Sequence, residues 1–277
     1  MDDKIMCGLC PNACSLSEGQ TGACRGRKRS GGKIVPINYG CITSAALDPI
    51  EKKPLKHFHP GSFILSVGSF GCNLHCPFCQ TFEISQSGRE LPHQPVTAEA
   101  LAETAREMAD KLPGNLGVAF TYNEPLIGYE FVLDTSKLLK NLGLSSVLVS
   151  NGMISEEYWR AMLPYIDAAN IDLKGWRQEF YDWCGGDLAT VKRNIELAAG
   201  KIHLEVTTLI IPGKNDSVED MKEEASWLAS LSTEIPLHIS RYFPRWRSEI
   251  PETPVGKIKE LAGTAGEYLK YVYTGNC

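Results

Sequence analysis

Missing from this chain is any long apolar run: nothing approaches the ~18 consecutive apolar residues that a membrane-spanning helix needs. The opening MDDKIMCGLC is acidic and then cysteine-bearing, without the apolar middle of a secretory leader. The protein is therefore expected in the cytoplasm, with no membrane partner. An excess of positive charge is missing too. With 28 Lys and Arg against 33 Asp and Glu, the formal net charge is −5, and neutralising a phosphate backbone requires a basic face that this balance does not supply. Nucleic acid is not an expected partner. The one basic run, Arg25 to Lys33 (RGRKRSGGK), reads as a solvated loop, with a docking patch for an acidic partner as the alternative. No internal repeat or low-complexity tract is visible beyond a loose β-α periodicity.

Cysteine, by contrast, is plentiful. Ten cysteines in a chain without export signals are not expected to form disulfides, because cytosolic thiols are kept reduced, so clustered ones point to metal. They are clustered. Cys7, Cys10, Cys14 and Cys24 stand near the start, Cys72, Cys76 and Cys79 follow, and Cys41, Cys184 and Cys277 stand apart.

A chain of 277 residues with 43% hydrophobic content suits one large α/β domain with a small appendage. Apolar β-rich runs at 62–70, 116–121, 144–150, 166–173, 202–211 and 237–243 read as strands. Between them, segments such as TAEALAETAREMADKL and SVEDMKEEASWLASL carry apolar residues at helical spacing, with Thr97 and Ser155 as candidate N-caps. Strict β-α alternation requires right-handed crossovers to parallel strands. It yields an open doubly wound sheet or a partial barrel, because six repeats cannot close an eight-stranded one. In either case ligands gather beyond the C-terminal ends of the strands. Residues 1–61 do not follow this rhythm: GGKIVPINYG reads as a small hairpin and DPIEKKPLKHFHPGS as a Pro-punctuated connection that must lean on the core or on metal. The expected division is thus a four-cysteine segment and connection over 1–61 and a β-α core over 62–277.

SFGCNLHCPFCQTF, Ser69 to Phe82, places Cys72, Cys76 and Cys79 on a short turn directly after the first core strand. Three thiolates and His75 could close a tetrahedral zinc site. A [4Fe–4S] cluster takes one thiolate per iron, so three thiolates leave one iron open. This turn, with Phe78 just before the last cysteine, resembles the cluster loop of the radical S-adenosylmethionine (SAM) superfamily. The resemblance implies a partial (β/α)6 TIM-like barrel and a [4Fe–4S] cluster whose open iron is chelated by the amino and carboxylate groups of SAM. It also implies one-electron cleavage of SAM to a 5′-deoxyadenosyl radical, fed by a donor such as flavodoxin or ferredoxin.

The other strand ends extend the likeness. TYNEP (121–125) resembles the superfamily's Gly-Gly-Glu motif, with Asn123 and Glu124 in the matching positions and the glycines replaced; an Asn-Glu-Pro helix start is the structural alternative. SNG, with Ser150 and Asn151, resembles the Thr-Asn-Gly of glycyl-radical-activating enzymes near the ribose and methionine. Asp172 and Lys174 in IDLKG share a face of an extended chain, and the resemblance carries them to the SAM carboxylate. In LIIPGKND the turn either packs under the adenine or starts a helix capped by Asp216 or Ser217. His238 matches a histidine that approaches the adenosine, with a hydrogen-bonded core histidine as the other reading.

CGLCPNACSLSEGQTGAC offers Cys7, Cys10, Cys14 and Cys24 as four thiolates for a closed second centre, structural or electron-carrying, which zinc or a second [4Fe–4S] cluster would equally suit. With INYG, LDPIEKKPLKHFHPGS, GCNLHCPFCQ, TTLIIPG and YVYTGN, it resembles the radical SAM component of the AmmeMemoRadiSam system, a group similar to pyruvate formate-lyase activating enzymes. Thr81 departs from that group's usual Asn. The implied function is hydrogen abstraction from a substrate. That substrate is either a partner protein's backbone glycine, as in glycyl-radical activation, or another peptide or small molecule handled with Memo-type partners. YDWCGG (181–186) and RYFPRWRSE (241–249) could read it or merely pack loops. A non-catalytic metal-binding scaffold is the alternative from another class.

Overall fold

In the computed structural model, which describes residues 4–277, an eight-stranded sheet runs in chain order from one edge to the other. Strand β1 (Ser44–Pro49) pairs antiparallel with β2 (Phe63–Gly68). Strands β3 (Asn115–Phe120), β4 (Ser145–Ser150), β5 (Ala168–Asp172), β6 (His203–Ile210), β7 (Leu237–Arg241) and β8 (Val272–Gly275) add in turn, every later pairing parallel. Helices α1 (Ala98–Lys111), α2 (Tyr129–Asn141), α3 (Glu156–Met162), α4 (Gln178–Cys184), α5 (Leu188–Ala198), α6 (Val218–Leu231) and α7 (Val255–Gly266) lie in the crossovers. This is the partial barrel that the resemblance implied, one of the two forms the β-α rhythm allowed. All six expected core strands form. The edge strands β1 and β8 were not legible, since one is half-exposed and ends on a proline and the other is four residues long.

Period-two alternation divides each strand between two environments. On β5, Ala169 and Ile171 join the large outer core with helix residues such as Leu139, Ile195 and Leu228. Ala168 faces the barrel interior instead, packed with Ile50, Leu55, Phe58, Ile64, Ala119 and Val147. The connection after β1 thus plugs the N-terminal mouth. Asn170 Nδ2 donates to Pro54 O at 2.8 Å, and the buried Glu205 carboxylate accepts the backbone N–H groups of Lys56 (3.0 Å) and His57 (2.8 Å). Chemistry is left to the opposite, C-terminal mouth. Both β1 and this plug come from residues placed on sequence in the N-terminal segment.

Two local expectations change. The basic run is not a solvated loop: Arg27–Ser30 pairs antiparallel with Lys33–Pro36 around Gly31 and Gly32, whose φ values of 60° and 73° suit glycine. Arg27 and Arg29 are each 6% exposed. Arg27 grips Glu130 with two hydrogen bonds of 2.8 and 2.7 Å, and Arg29 reaches Leu16 O and Glu18. Thr97 caps α1 as expected, accepting from Ala100 N at 3.1 Å. Ser155 makes no side-chain cap to α3. Its hydroxyl donates to Gly8 O at 2.7 Å and its N–H to Leu9 O at 2.8 Å, so a residue with capping geometry serves to tie down the cysteine-bearing N-terminus.

Candidate active site

The three-cysteine turn leaves the C-terminal end of β2 and is pinned from several elements. Asn123 accepts from Ser69 N at 2.9 Å and donates to Phe70 O and Gly71 O at 3.2 and 3.0 Å. Gly71 has φ 86°, and a Cβ there would stand 2.4 Å from Cys24 O, so only glycine fits. The next residue, Cys72, donates its N–H to that same Cys24 carbonyl at 3.1 Å. Asn73 Nδ2 holds Met153 O at 2.6 Å, Gln86 Nε2 holds Leu74 O at 3.1 Å, and His75 N donates to Cys184 O at 2.7 Å.

The sulfurs have polar company. Cys72 Sγ accepts from Leu74 N at 3.3 Å and Asn151 Nδ2 at 3.7 Å, and Cys79 Sγ meets Thr81 Oγ1 at 3.7 Å. Burial pushes the Cys72 thiol well up, with Glu124, Cys76 and Cys79 adding like charge. Cys76 behaves oppositely: a hydrogen bond with the Cys184 thiol outweighs burial and, with Lys174, holds it below the usual thiol range. His75 does not complete this set; its ring meets Gln86 Oε1 at 3.4 Å and lines an outer cleft. Among the described residues no three His, Cys, Asp or Glu side chains converge tightly enough for a single metal ion. The fit to a cluster therefore rests on three sulfurs that share one turn and feel one another's charge, each near a hydrogen-bond donor or cation.

The other strand ends surround this turn. Glu124 is 3% exposed and accepts from Leu126 N (3.0 Å), Ser150 Oγ (2.8 Å) and Asn151 N (2.8 Å). Desolvation raises its pKa to about 7 against these donors. It is thus both the helix-start cap that the sequence allowed and the brace that holds the Ser150–Asn151 turn beside Cys72. Asn151 Nδ2 also reaches Asn73 Oδ1 at 2.9 Å. From the end of β5, Lys174 Nζ pairs with Asp172 Oδ2 at 2.7 Å, their side chains 18% and 32% exposed. Burial disfavours the Lys174 charge, but Asp172 and the Cys76 sulfur more than offset it and raise its pKa. Phe78 is 4% exposed and sits in an aromatic cage with Trp183 (centroids 5.2 Å apart), Phe180 (5.9 Å) and Tyr242 (6.4 Å).

One expected residue lies elsewhere. His238 is the second residue of β7, deep toward the plugged mouth, and its Nε2 bonds Glu205 Oε2 at 2.5 Å while its ring stacks on Tyr273. It has the hydrogen-bonded core setting that the sequence also allowed. In the turn after β6, Ser217 is the cap of α6, accepting from Asp220 N at 3.0 Å. Asn215 crosses to donate to Lys174 O at 2.9 Å, supporting the Asp172–Lys174 turn from behind. The residue that sequence reasoning missed is Cys184, set apart in sequence but fully buried against Cys76. Helical spacing carries the signal: Phe180 and Cys184 fall four apart on α4 and both are buried. Outside the turn, Arg25, His75, Phe82, Gln86, Trp246 and Arg247 line a cleft of about 380 Å³. Arg247 N donates to Pro77 O at 3.0 Å and Trp246 stacks on Phe82, so the 241–249 stretch packs against the cysteine turn.

A three-cysteine turn above a parallel partial barrel, facing a lysine from another strand end, defines a class. The chain belongs to the radical SAM superfamily, whose profile matches residues 66–228, more than half its length. Members of this superfamily use a [4Fe–4S] cluster and SAM. The chain is 38% identical over 280 residues to an uncharacterised protein of Methanocaldococcus jannaschii, covering 99% of this chain and 82% of that one. It is 25% identical over 163 residues to the 4-hydroxyphenylacetate decarboxylase activating enzyme of Clostridioides difficile, covering 55% of this chain and 51% of the relative. Among solved structures it resembles Streptococcus suis SuiB bound to S-adenosylmethionine (TM-score 0.59, 14% identity, 74% of this chain and 48% of that one). It also resembles a domain of pyruvate-formate lyase-activating enzyme from Bacteroides vulgatus (TM-score 0.51, 20% identity, 58% of this chain and 99% of that one). The chain thus spans about half of SuiB, and the likeness to these structures is one of fold. Among the described residues no helix is long and apolar enough to cross a membrane.

Proposed function

We propose that Cys72, Cys76 and Cys79 ligate three irons of a [4Fe–4S] cluster and that SAM completes the fourth, making the protein a radical enzyme that abstracts hydrogen from a substrate. The observation that carries this reading is the position of Lys174: a shielded cation, paired with Asp172 at 2.7 Å, whose charge is felt by the Cys76 sulfur. A carboxylate arriving beside the open iron meets that ammonium, which suits the carboxylate end of SAM. When bound, the cluster and SAM supply the one-electron cleavage that yields the 5′-deoxyadenosyl radical.

The chain's own residues bind, orient and shield. Asn151 donates toward Cys72, where a charged sulfur is favoured by a hydrogen bond. Glu124, which accepts three hydrogen bonds, positions Ser150 and Asn151 and acts through them. Asn123 fixes the entry to the turn, and Phe78 with its aromatic cage shuts solvent from the side of Cys76 and Cys79. The plug of Ile50, Leu55 and Phe58 seals the far mouth. The reaction consumes one electron per SAM, so a one-electron donor of the flavodoxin or ferredoxin class is the expected partner. A protein substrate, as for an activating enzyme, is supported by the similarity to an activating enzyme; modification of another peptide or a small molecule is the alternative. The test is anaerobic reconstitution, then SAM with a strong reductant. 5′-Deoxyadenosine and methionine should form, and Cys76→Ala should abolish both; a variant that still cleaves SAM would overturn the site.

A further inference from the structure

The cleft outside the cysteine turn carries positive charge that the site described so far does not use. His75, which lines it, is joined to Cys76 by a peptide bond, and on the other side of that cysteine Arg247 N–H donates to Pro77 O at 3.0 Å. The remaining flanks of the turn are covered. Cys24 O takes the Cys72 N–H, Asn151 stands at the strand ends beside Cys72, and Trp183, Phe180 and Tyr242 surround Phe78. A second protein therefore reaches the three sulfurs most directly from the cleft.

Arg25 and Arg247 both line this cleft, and among the described residues neither forms an ion pair. Arg25 Nη1 is shielded from solvent and has no hydrogen-bond partner there, a costly state for a guanidinium that an arriving anion relieves. The Arg247 guanidinium lies 4.4 Å from the Trp246 ring centroid and that of Arg245 lies 5.6 Å from Phe82. Stacking of this kind leaves the guanidinium edge to bond a carboxylate. The one acid in the lining, Glu83, meets Arg245 only loosely, at 3.7 Å. The backbone is specialised as well: Arg25 at φ 62° and Trp246 at φ 55° are left-handed, which is uncommon outside glycine and gathers at functional segments. The whole chain carries a net charge of −5. A cationic cleft on an anionic protein turns an acidic partner away from the rest of the surface and admits it here.

We infer that this cleft docks an acidic one-electron donor protein, whose carboxylates meet Arg25, Arg245 and Arg247 and whose redox group faces His75. The inference rests on the radical SAM reading, which requires one electron per SAM and hence a surface through which it enters. The reduced donor is oxidised by one electron, the centre held by Cys72, Cys76 and Cys79 is reduced by one, and no bond forms or breaks in the transfer.

The experiment uses the full chain, reconstituted without oxygen, with a purified flavodoxin as the probe. Calorimetric titration gives the flavodoxin Kd. In parallel, 5′-deoxyadenosine is measured with reduced flavodoxin and with photoreduced deazaflavin, a small neutral reductant. Arg25→Gln/Arg247→Glu should raise the Kd and slow flavodoxin-driven cleavage by about tenfold at low salt. Iron content and the deazaflavin-driven rate should not change, and the gap should close at about 1 M salt, where the Debye length is about 3 Å. Arg247→Glu alone, at an exposed side chain, should shift both readouts in the same direction, so a folding defect at Arg25 does not decide the result. Unchanged flavodoxin binding would overturn the inference. An equal loss with both reductants would overturn it too, by assigning the arginines to SAM or to the fold. No 5′-deoxyadenosine from the unsubstituted chain with either reductant would be the failure of the radical SAM reading itself, and the inference would fall with it.

Discussion

Replacing Lys174 by Met removes the ammonium and keeps most of the packed stem. Lys174 is the cation that the Cys76 sulfur feels from the end of β5, and among the described residues its ion-pair partner is Asp172 at 2.7 Å. A hydrogen bond to a charged group contributes about 1.5–3 kcal/mol, which at about 1.4 kcal/mol per tenfold predicts a 10- to 150-fold weaker SAM affinity. The Asp172 carboxylate, left without its ammonium, should deepen the loss by repelling the incoming carboxylate, so Lys174→Met/Asp172→Asn should recover part of it. The assay is equilibrium SAM binding to the reconstituted protein, with iron content as control. Unchanged iron with weakened binding is expected. Affinity within about twofold of the starting protein, or iron lost as in a cysteine variant, would refute the assignment.

Glu224 of α6 is 2% exposed, accepts a hydrogen bond from Thr208 Oγ1 at 2.5 Å, and is raised by burial to about 8. Its folded value lies above its unfolded one, so its contribution is full below the unfolded value and is lost as pH rises toward 8. At about 1.36 kcal/mol per unit, Glu224→Gln should gain roughly 2–3 kcal/mol on the unsubstituted protein between pH 6 and 8 in urea unfolding. A flat difference would contradict the buried, neutral assignment. His238→Phe should lower stability by about 1–3 kcal/mol, since it strips a partner from buried Glu205, yet leave SAM affinity unchanged. Weaker SAM binding at unaltered stability would return His238 to the active site. Gly71→Ala forces a left-handed alanine, about 1–2 kcal/mol of strain, against the Cys24 carbonyl. It should reduce iron retention on reconstitution, and full iron content would show that the turn relaxes easily.

Much of the barrel was readable because its strands are buried on both faces and punctuated by amphipathic helices. The plug was not, because Ile50, Leu55 and Phe58 are spaced irregularly among Lys, His and Pro and gain their core only from strands that arrive later in the chain. The basic run misled for the opposite reason: Arg27 and Arg29 alternate inward on a strand, and their partners Glu130, Glu18 and Leu16 are distant in sequence. Within the site, motif spacing located Cys72, Cys76, Cys79, Glu124, Asn151 and Lys174, because strand ends in a parallel barrel converge whatever their separation along the chain. A motif match does not say at which end of a strand a residue lies, and His238 falls near the start of β7. Cys184 escaped because it enters from a helix, beside Cys76 rather than within a motif.

The central claim is that the three-cysteine turn leaves one iron for SAM. Electron paramagnetic resonance of the reduced, reconstituted protein, recorded with and without SAM, tests it most directly. Binding of SAM at that iron should shift the cluster's g-values, and the shift should be absent in the Cys72→Ala/Cys76→Ala/Cys79→Ala variant, whose N-terminal cysteines remain. Identical spectra with saturating SAM, or the same shift in the variant, would contradict the account.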